Sequence, residues 1–235
     1  MDGDLAEILG IHTGDGCISK NERYSEYYLG GDIKEEKEYH DEWVSYLFNK
    51  KVMMPLLNKK VIYKEHPKVG VYGFYIFNDK IVNFFEKKGM CIGTKIGVRV
   101  PEEIMKNKKF SLRFLRGLFD TDGNIYFDKN RSCKKPINKI PLIKVDSVSK
   151  NLVGDVFIML KKLGLNPRLK KPYQGKRDKN KVHTVLLYRK NDVNYFIDNI
   201  GFKNPKHYTK WQVFKKLGYC LPRTTLNQRR EILLK

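Results

Sequence analysis

Cysteine and histidine are few in this chain and never cluster. Cys17, Cys91, Cys133 and Cys220 show no C-x-x-C spacing and the five histidines are equally scattered, which indicates neither a zinc site nor a disulfide framework and leaves the thiols reduced. Long apolar runs are missing too. No stretch approaches the roughly 20 residues of a membrane span, and the N-terminus lacks a basic-then-apolar leader. The chain therefore reads as soluble and intracellular, cytoplasmic or organellar, with no membrane partner and no secretion. Helix-turn-helix and zinc-finger spacings are absent. Acids are the last shortage: 26 Asp and Glu against 47 Lys and Arg give a formal charge of +21 and a pI near 9.7, a balance that points to a polyanionic partner. With 235 residues, 41% of them apolar, the chain can bury a real core in one large or two small domains.

What is present centres on residues 112–123. Leu112, Leu115, Leu118 and Phe119 fall at helical spacing and make one apolar stripe. Gly117 and Thr121, one turn apart on another face, let a second backbone approach closely. The helix ends on Asp122-Gly123, and a carboxylate is poorly placed at a C-terminus that already carries partial negative charge. The same grammar stands near the N-terminus, where Ala6, Gly10 and Gly14 recur at four-residue steps before Asp15-Gly16. Such a repeat suggests two related halves, 1–107 and 108–235, about a pseudo-two-fold axis. Packing Gly10 and Gly14 against Gly117 and Thr121 brings Asp15 and Asp122 to one end of a helix pair. Asp-Gly alone is common in turns; it is the matched pair in a basic chain that points to metal ligands.

The residues Ile8 to Gly16 (ILGIHTGDG) and Leu115 to Gly123 (LRGLFDTDG) resemble the two signature helices of the LAGLIDADG homing endonucleases, the second more closely. The first departs at Thr13, where the pattern has its earlier acid, and at His12, which stands in an apolar slot and is read as a core histidine. The resemblance implies a monomeric, site-specific endonuclease that cuts both strands of DNA at a long, pseudo-palindromic site. It makes Asp15 and Asp122 the catalytic metal ligands and Asp120 a structural acid. It also places a lysine beside each scissile phosphate, a role that falls on Lys95 in Gly93-Thr94-Lys95 and on Lys206 in Lys203-Asn204-Pro205-Lys206. Two alternatives are an RNA-binding maturase, with intron RNA as partner, and a DNA-binding regulator without cleavage; retention of both acids argues against the latter. The chain begins Met1-Asp2 and ends Leu234-Lys235 without a splice-junction Cys or His-Asn, so an embedded protein-splicing element is not expected.

The chemistry stands without the family. In-line hydrolysis of a phosphodiester needs an activated water, charge relief on the phosphoryl oxygens and a stabilised leaving oxygen. Two carboxylates at one helix seam suit Mg²⁺, or another hard divalent cation such as Mn²⁺, which keeps waters and takes phosphate oxygens as further ligands.

Taken in order, the first motif helix is followed by strand-like segments to Leu29, an amphipathic helix over Lys34 to Lys50 whose acids Glu35, Glu36, Glu38, Asp41 and Glu42 face solvent, a hairpin over Lys59 to Glu65 and Val69 to Phe77, and a helix over Asp79 to Lys88. Beyond the second motif the order recurs: strands Asn124 to Phe127 and Leu142 to Val148, a helix Lys150 to Leu163 capped by Ser149, a hairpin Pro167 to Tyr173 and Val182 to Tyr188, and a helix Asn191 to Asn199. A C-terminal helix starts near His207. The expected fold is α+β, two pseudo-symmetric α-β-β-α-β-β-α repeats, each giving four antiparallel strands to a curved sheet, with the motif helices at the centre. By the resemblance, the paired sheets form a DNA-binding saddle.

Basic hairpin tips are the expected DNA contacts: Lys129, Arg131, Lys134, Lys135 and Lys139 in one, Arg168, Lys170, Lys171, Lys176, Arg177, Lys179 and Lys181 in the next. Arg reads guanine bidentately and Lys mostly holds phosphate. Tyr24, Tyr27, Tyr28 and Tyr126 are read as sheet and core aromatics. The charge is lopsided: residues 1–107 carry 16 Lys and Arg against 17 Asp and Glu, residues 108–235 carry 31 against 9. The second half is therefore expected to supply most of the salt-dependent grip.

Overall fold

The computed structural model describes residues 1–129, 137–176 and 179–235. In chain order the first half holds α1 (Gly3–Asp15), β1 (Gly16–Lys20), β2 (Ser25–Asp32), a helical rod, β3 (Lys64–His66), β4 (Val71–Phe77) and α4 (Asp79–Lys87). The rod joins Tyr39–Val44, α2 (Ser45–Phe48), Asn49–Met53 and α3 (Met54–Leu57), the first and third pieces wound as π-helix. A connector with α5 (Glu102–Lys106) leads to α6 (Lys108–Thr121), β5 (Gly123–Lys129), β6 (Asn138–Ser147), α7 (Lys150–Lys162), β7 (Arg168–Leu169), β8 (His183–Leu187) and α8 (Lys190–Asn199). Two further helices follow, α9 (Pro205–Leu217) and α10 (Leu226–Leu234). The strands form two antiparallel four-stranded sheets with matching orders, β1-β2-β4-β3 and β5-β6-β8-β7, so the α+β repeat read from the sequence is the architecture found. Among the described residues no helix is long and apolar enough to cross a membrane.

Strand alternation sorts each sheet into two faces. Ile18, Tyr27, Leu29 and Phe74 are buried under the helices of the first half, and Ile125, Ile143, Val145, Val185 and Leu187 under those of the second. Their neighbours in register, Tyr28 with Tyr75 in one sheet and Asn124 with Lys144 in the other, lie on the opposite, open face. One continuous core joins the halves through α1 and α6, which contribute Ile8, Leu9, Ile11, Phe114, Leu115, Leu118 and Phe119.

Those two helices cross at van der Waals distance because glycines stand where they touch. A Cβ added to Gly10 would stand 2.1 Å from the Phe114 carbonyl oxygen, and one on Gly117 would stand 2.3 Å from that of Glu7. At Gly14 it would meet the Thr121 Oγ1 at 1.9 Å. Farther from the motif acids the same pair is tied by charge. Glu7, wholly buried, accepts hydrogen bonds from Trp43 Nε1 at 2.7 Å and Arg116 Nε at 2.9 Å, and its second oxygen pairs with Arg113 and Arg116. Every lone pair direction is thus occupied, which is the condition under which a buried carboxylate is tolerated.

Three expectations are corrected. The helix read over Lys34 to Lys50 begins later and runs on to Leu57, because the Asp32 carboxylate accepts the backbone N–H groups of Lys34 and Glu35, both at 2.9 Å, and holds them in a turn. Its acids do not simply face solvent. Glu36 is buried; Glu35 pairs with Arg229 and Glu38 with Arg230, both on α10. The α10 helix itself was not expected; it opens with a Thr225–Gln228 capping box, and its Leu226 N–H donates to Glu35 Oε1 at 2.8 Å.

Candidate functional site

Asp15 closes α1 and Asp122 caps α6, so the helix crossing delivers both carboxylates to one seam at the inner ends of the two open faces. Asp15 is half-buried, and burial followed by the negative charges of Glu36 and Asp122 pushes its carboxyl well above the usual range. Burial also raises Asp122, with Glu36 and Asp146 adding and Lys95 and Lys206 opposing. At Asp122 the two lysines outweigh the neighbouring acids, whereas at Asp15 the acids outweigh the lysines, so the Asp122 shift is the weaker one. Among the described residues no hydrogen bond reaches either carboxylate. Two like charges held together without donors constitute an unsatisfied site for positive charge.

Lys95 and Lys206 reach the same seam from opposite halves, and each lowers the pKa of both acids. The Lys95 ammonium donates to the Gly14 carbonyl. Lys206 Nζ lies 3.2 Å from Glu36 Oε1, and its backbone is fixed by the loop before α9. There the Asp120 carboxylate accepts the N–H groups of Lys203, at 3.0 and 3.1 Å, and of Asn204, at 3.0 Å. Burial lifts Asp120 to about 8, against the pull of those backbone donors.

Some contributors carry no readable signal in the linear pattern. Glu36 meets Asn204 Nδ2 at 2.9 Å, Lys206, and the Asp32 N–H at 2.8 Å. A hint of it lies in Gly31, whose added Cβ would stand 2.7 Å from Glu36 Oε2. Lys210 on α9 donates to Asn124 Oδ1 at 3.1 Å, and burial, with Arg229 and Lys206 nearby, pulls its ammonium down to about 8. His12 is a core ring: it stacks on Tyr27 at 5.4 Å, and burial depresses it to about 3.

The basic tips divide. Arg168 stands opposite Leu186 on the open face of the second sheet, and Lys170, whose N–H donates to the Thr184 carbonyl at 3.1 Å, follows on the same side. Lys170 also lines, with Lys171, Lys181, Lys150 of α7 and His183, a cavity at the edge of the sheet. Lys129, Lys139, Lys176 and Lys179 are exposed. Arg131, Lys134, Lys135 and Arg177 lie outside the described residues.

Among the described residues no group of three or more His, Cys, Asp or Glu side chains could hold a metal ion by itself. Two carboxylates are what the protein offers. That matches a cation which completes its shell with water and phosphate oxygens rather than one held in an all-protein cage.

Residues 109–201 match the family described as a LAGLIDADG-like domain. The chain has the fold of the LAGLIDADG homing endonucleases. It is similar to the homing endonuclease I-DmoI in complex with DNA and Ca, at 13% identity and a TM-score of 0.61 over 86% of this chain and 93% of that one. It is likewise similar to the I-LtrWI LAGLIDADG homing endonuclease bound to target DNA, at 14% identity and a TM-score of 0.60 over 92% of this chain and 89% of that one. In sequence it is 27% identical to a replication factor C small subunit of Methanocaldococcus jannaschii over 88% of its length and 24% identical to a DNA polymerase of Thermococcus hydrothermalis over 88%. The chain spans only 10% and 11% of those two proteins.

Proposed function

We propose that this chain, whose fold is that of the LAGLIDADG homing endonucleases, is a site-specific double-strand DNA endonuclease acting as a monomer, its two halves, 1–107 and 108–235, each gripping half of a long site. The observation that carries this reading is the pair of carboxylates, Asp15 and Asp122, without a hydrogen-bond donor among the described residues and delivered to one seam between two open sheet faces. Solved proteins of the same fold are described in complex with DNA and Mn or Ca. No observation favours RNA as partner.

Asp15 and Asp122 would hold a hard divalent cation, Mg²⁺ or Mn²⁺. When bound, such an ion relieves charge on phosphoryl oxygens and acidifies a water. The protein's own part is positional. The α1–α6 crossing fixes the separation of the carboxylates, and Lys95 and Lys206 bring one ammonium each from opposite halves, one charge for each strand of the duplex. The Gly14 carbonyl and Glu36 hold those lysines against the seam. Charge preorganised in this way costs no rearrangement when the phosphate becomes more anionic in the transition state.

The test is cleavage of duplex carrying the insertion site, with Mg²⁺ or Mn²⁺ and with EDTA, by the protein and by Asp15→Asn and Asp122→Asn. Each variant should lose double-strand cleavage while its gel-shift affinity stays close to that of the unmodified protein. A variant that still cut both strands at the original rate would remove its aspartate from the site.

A further inference from the structure

The open face of the first sheet is an unexpected surface for a chain of charge +21. Alternation along β2 and β4 sends Tyr27, Leu29 and Phe74 into the core and leaves Glu26, Tyr28, Tyr75 and Phe77 on the far side. Phe77 is 66% exposed and Tyr75 49%. Their rings are organised across strands: Tyr28 and Tyr75 lie with centroids 4.6 Å apart, Tyr24 meets Phe77 edge-on at 6.3 Å, and His66 of β3 meets Tyr75 edge-on at 5.9 Å. Tyr28 stands opposite Cys17 of β1, two residues beyond Asp15. The aromatic face therefore starts at the cleavage seam and extends outward from it.

Such a face offers little charge with which to grip a phosphate backbone. Among the described strand residues of this sheet, Lys64 is the one lysine or arginine that alternation sets on the open side, and Glu26, opposite Phe77 in register, repels phosphate. The second sheet differs, with Arg168 and Lys144, the latter ion-paired to Asp146, on its open side. A duplex spanning both faces must offer the first one its base edges. In the major groove the apolar group on those edges is the thymine C5-methyl, and a glutamate there accepts from cytosine N4.

We propose that the open face of the first sheet is a thymine-reading subsite, in which Tyr75 and Phe77, backed by Tyr28 and Tyr24, cover the C5-methyl groups of one half of the target. This rests on the DNA-cleaving function proposed above and names a base preference within it. Both rings are exposed, so replacing them leaves the core untouched.

The experiment is selection by the full chain from duplexes of random sequence, followed by sequencing of those bound. One half of the recovered site should be rich in T·A pairs. The double variant Tyr75→Ser, Phe77→Ser should lose that enrichment and keep the preferences of the other half, while Phe77→Leu, which restores an apolar contact, should retain it. Rebuilding the enriched half with uracil in place of thymine should weaken binding about fourfold for each methyl that is covered, with no such loss for the double variant or for uracil in the other half. Recovered duplexes that are bound and cut but carry no thymine bias, or uracil duplexes bound as tightly as thymine ones, overturn the subsite alone. Recovery of no duplex at low salt overturns it together with the endonuclease reading.

Discussion

Thr13 in the first motif helix and Asp120 in the second occupy the same place in the repeat, yet they do opposite things. The Thr13 hydroxyl turns back onto its own helix, donating to the Leu9 carbonyl at 2.7 Å. Asp120 reaches across 83 residues and more to pin the backbone that presents Lys206. The neighbouring position repeats the contrast: His12 is a neutral ring packed on Tyr27 and Phe85, whereas Phe119 packs on Phe196. The two halves thus share the geometry of the crossing and differ in what they hang on it. The surplus acids of the first half are not idle either. Glu35 and Glu38 receive Arg229 and Arg230 of α10, so part of the charge difference between the halves serves to join them.

If the crossing is the one place where the halves are equivalent, it should fail equally from either side. Gly10→Val and Gly117→Val each drive a side chain into a carbonyl of the opposite helix, and both should destabilise by more than the ~1–3 kcal/mol of ordinary overpacking. Gly154 in α7 is the control, since a Cβ there meets nothing within 4 Å; Gly154→Ala should be neutral or stabilise by up to about 1 kcal/mol. Chemical denaturation checks all three, and an unchanged midpoint for Gly10→Val or Gly117→Val would contradict the crossing.

The Asp120–Thr13 contrast is sharpened by pH. Asp120 has a folded-state pKa of about 8 against an ordinary 3.8, so between those values the folded chain holds a proton that the unfolded chain has released. Its contribution to stability is complete below about pH 4 and is lost as pH rises through 8; each pH unit crossed between those values removes about 1.4 kcal/mol, about 6 kcal/mol in all. Buried His12, depressed to about 3, works the other way: its contribution is present above 6.5 and is lost as pH falls. Asp120→Asn should therefore flatten the decline in stability between pH 5 and 8 measured by urea unfolding, and Thr13→Ser should not. A wild-type slope in Asp120→Asn would locate the titrating group elsewhere.

The smallest effect separates the two open faces. Removing Lys144, Arg168 and Lys170 together should lower the slope of log affinity against log salt by roughly 2–3, at about 0.9 per phosphate contact. The first-half set Lys59, Lys60 and Lys64 should lower it by about 1 or less. Equal slopes would mean that the excess charge of the second half lies away from the duplex.

The small residues at four-residue steps, the Asp-Gly endings and the alternating strands were legible because each is a local periodicity, and local periodicity is what a helix or a strand imposes on its own sequence. Lys34 to Glu38 misled for the same reason: a run of acids reads as a solvated helix face unless its partners are known. Those partners are distant. Glu7 meets Arg116 across 109 residues, Glu36 meets Lys206 across 170 and Glu35 meets Arg229 across 194. A charged side chain carries its sign in the sequence but not the identity of what it will face. The linear pattern was enough to establish that two acids end two small-residue helices in a basic chain. Which lysines stand beside those acids, which glutamate is buried with them, and that one sheet face gathers aromatic rings where the other carries Lys144 and Arg168 emerged only on folding, because those are consequences of how separate elements dock.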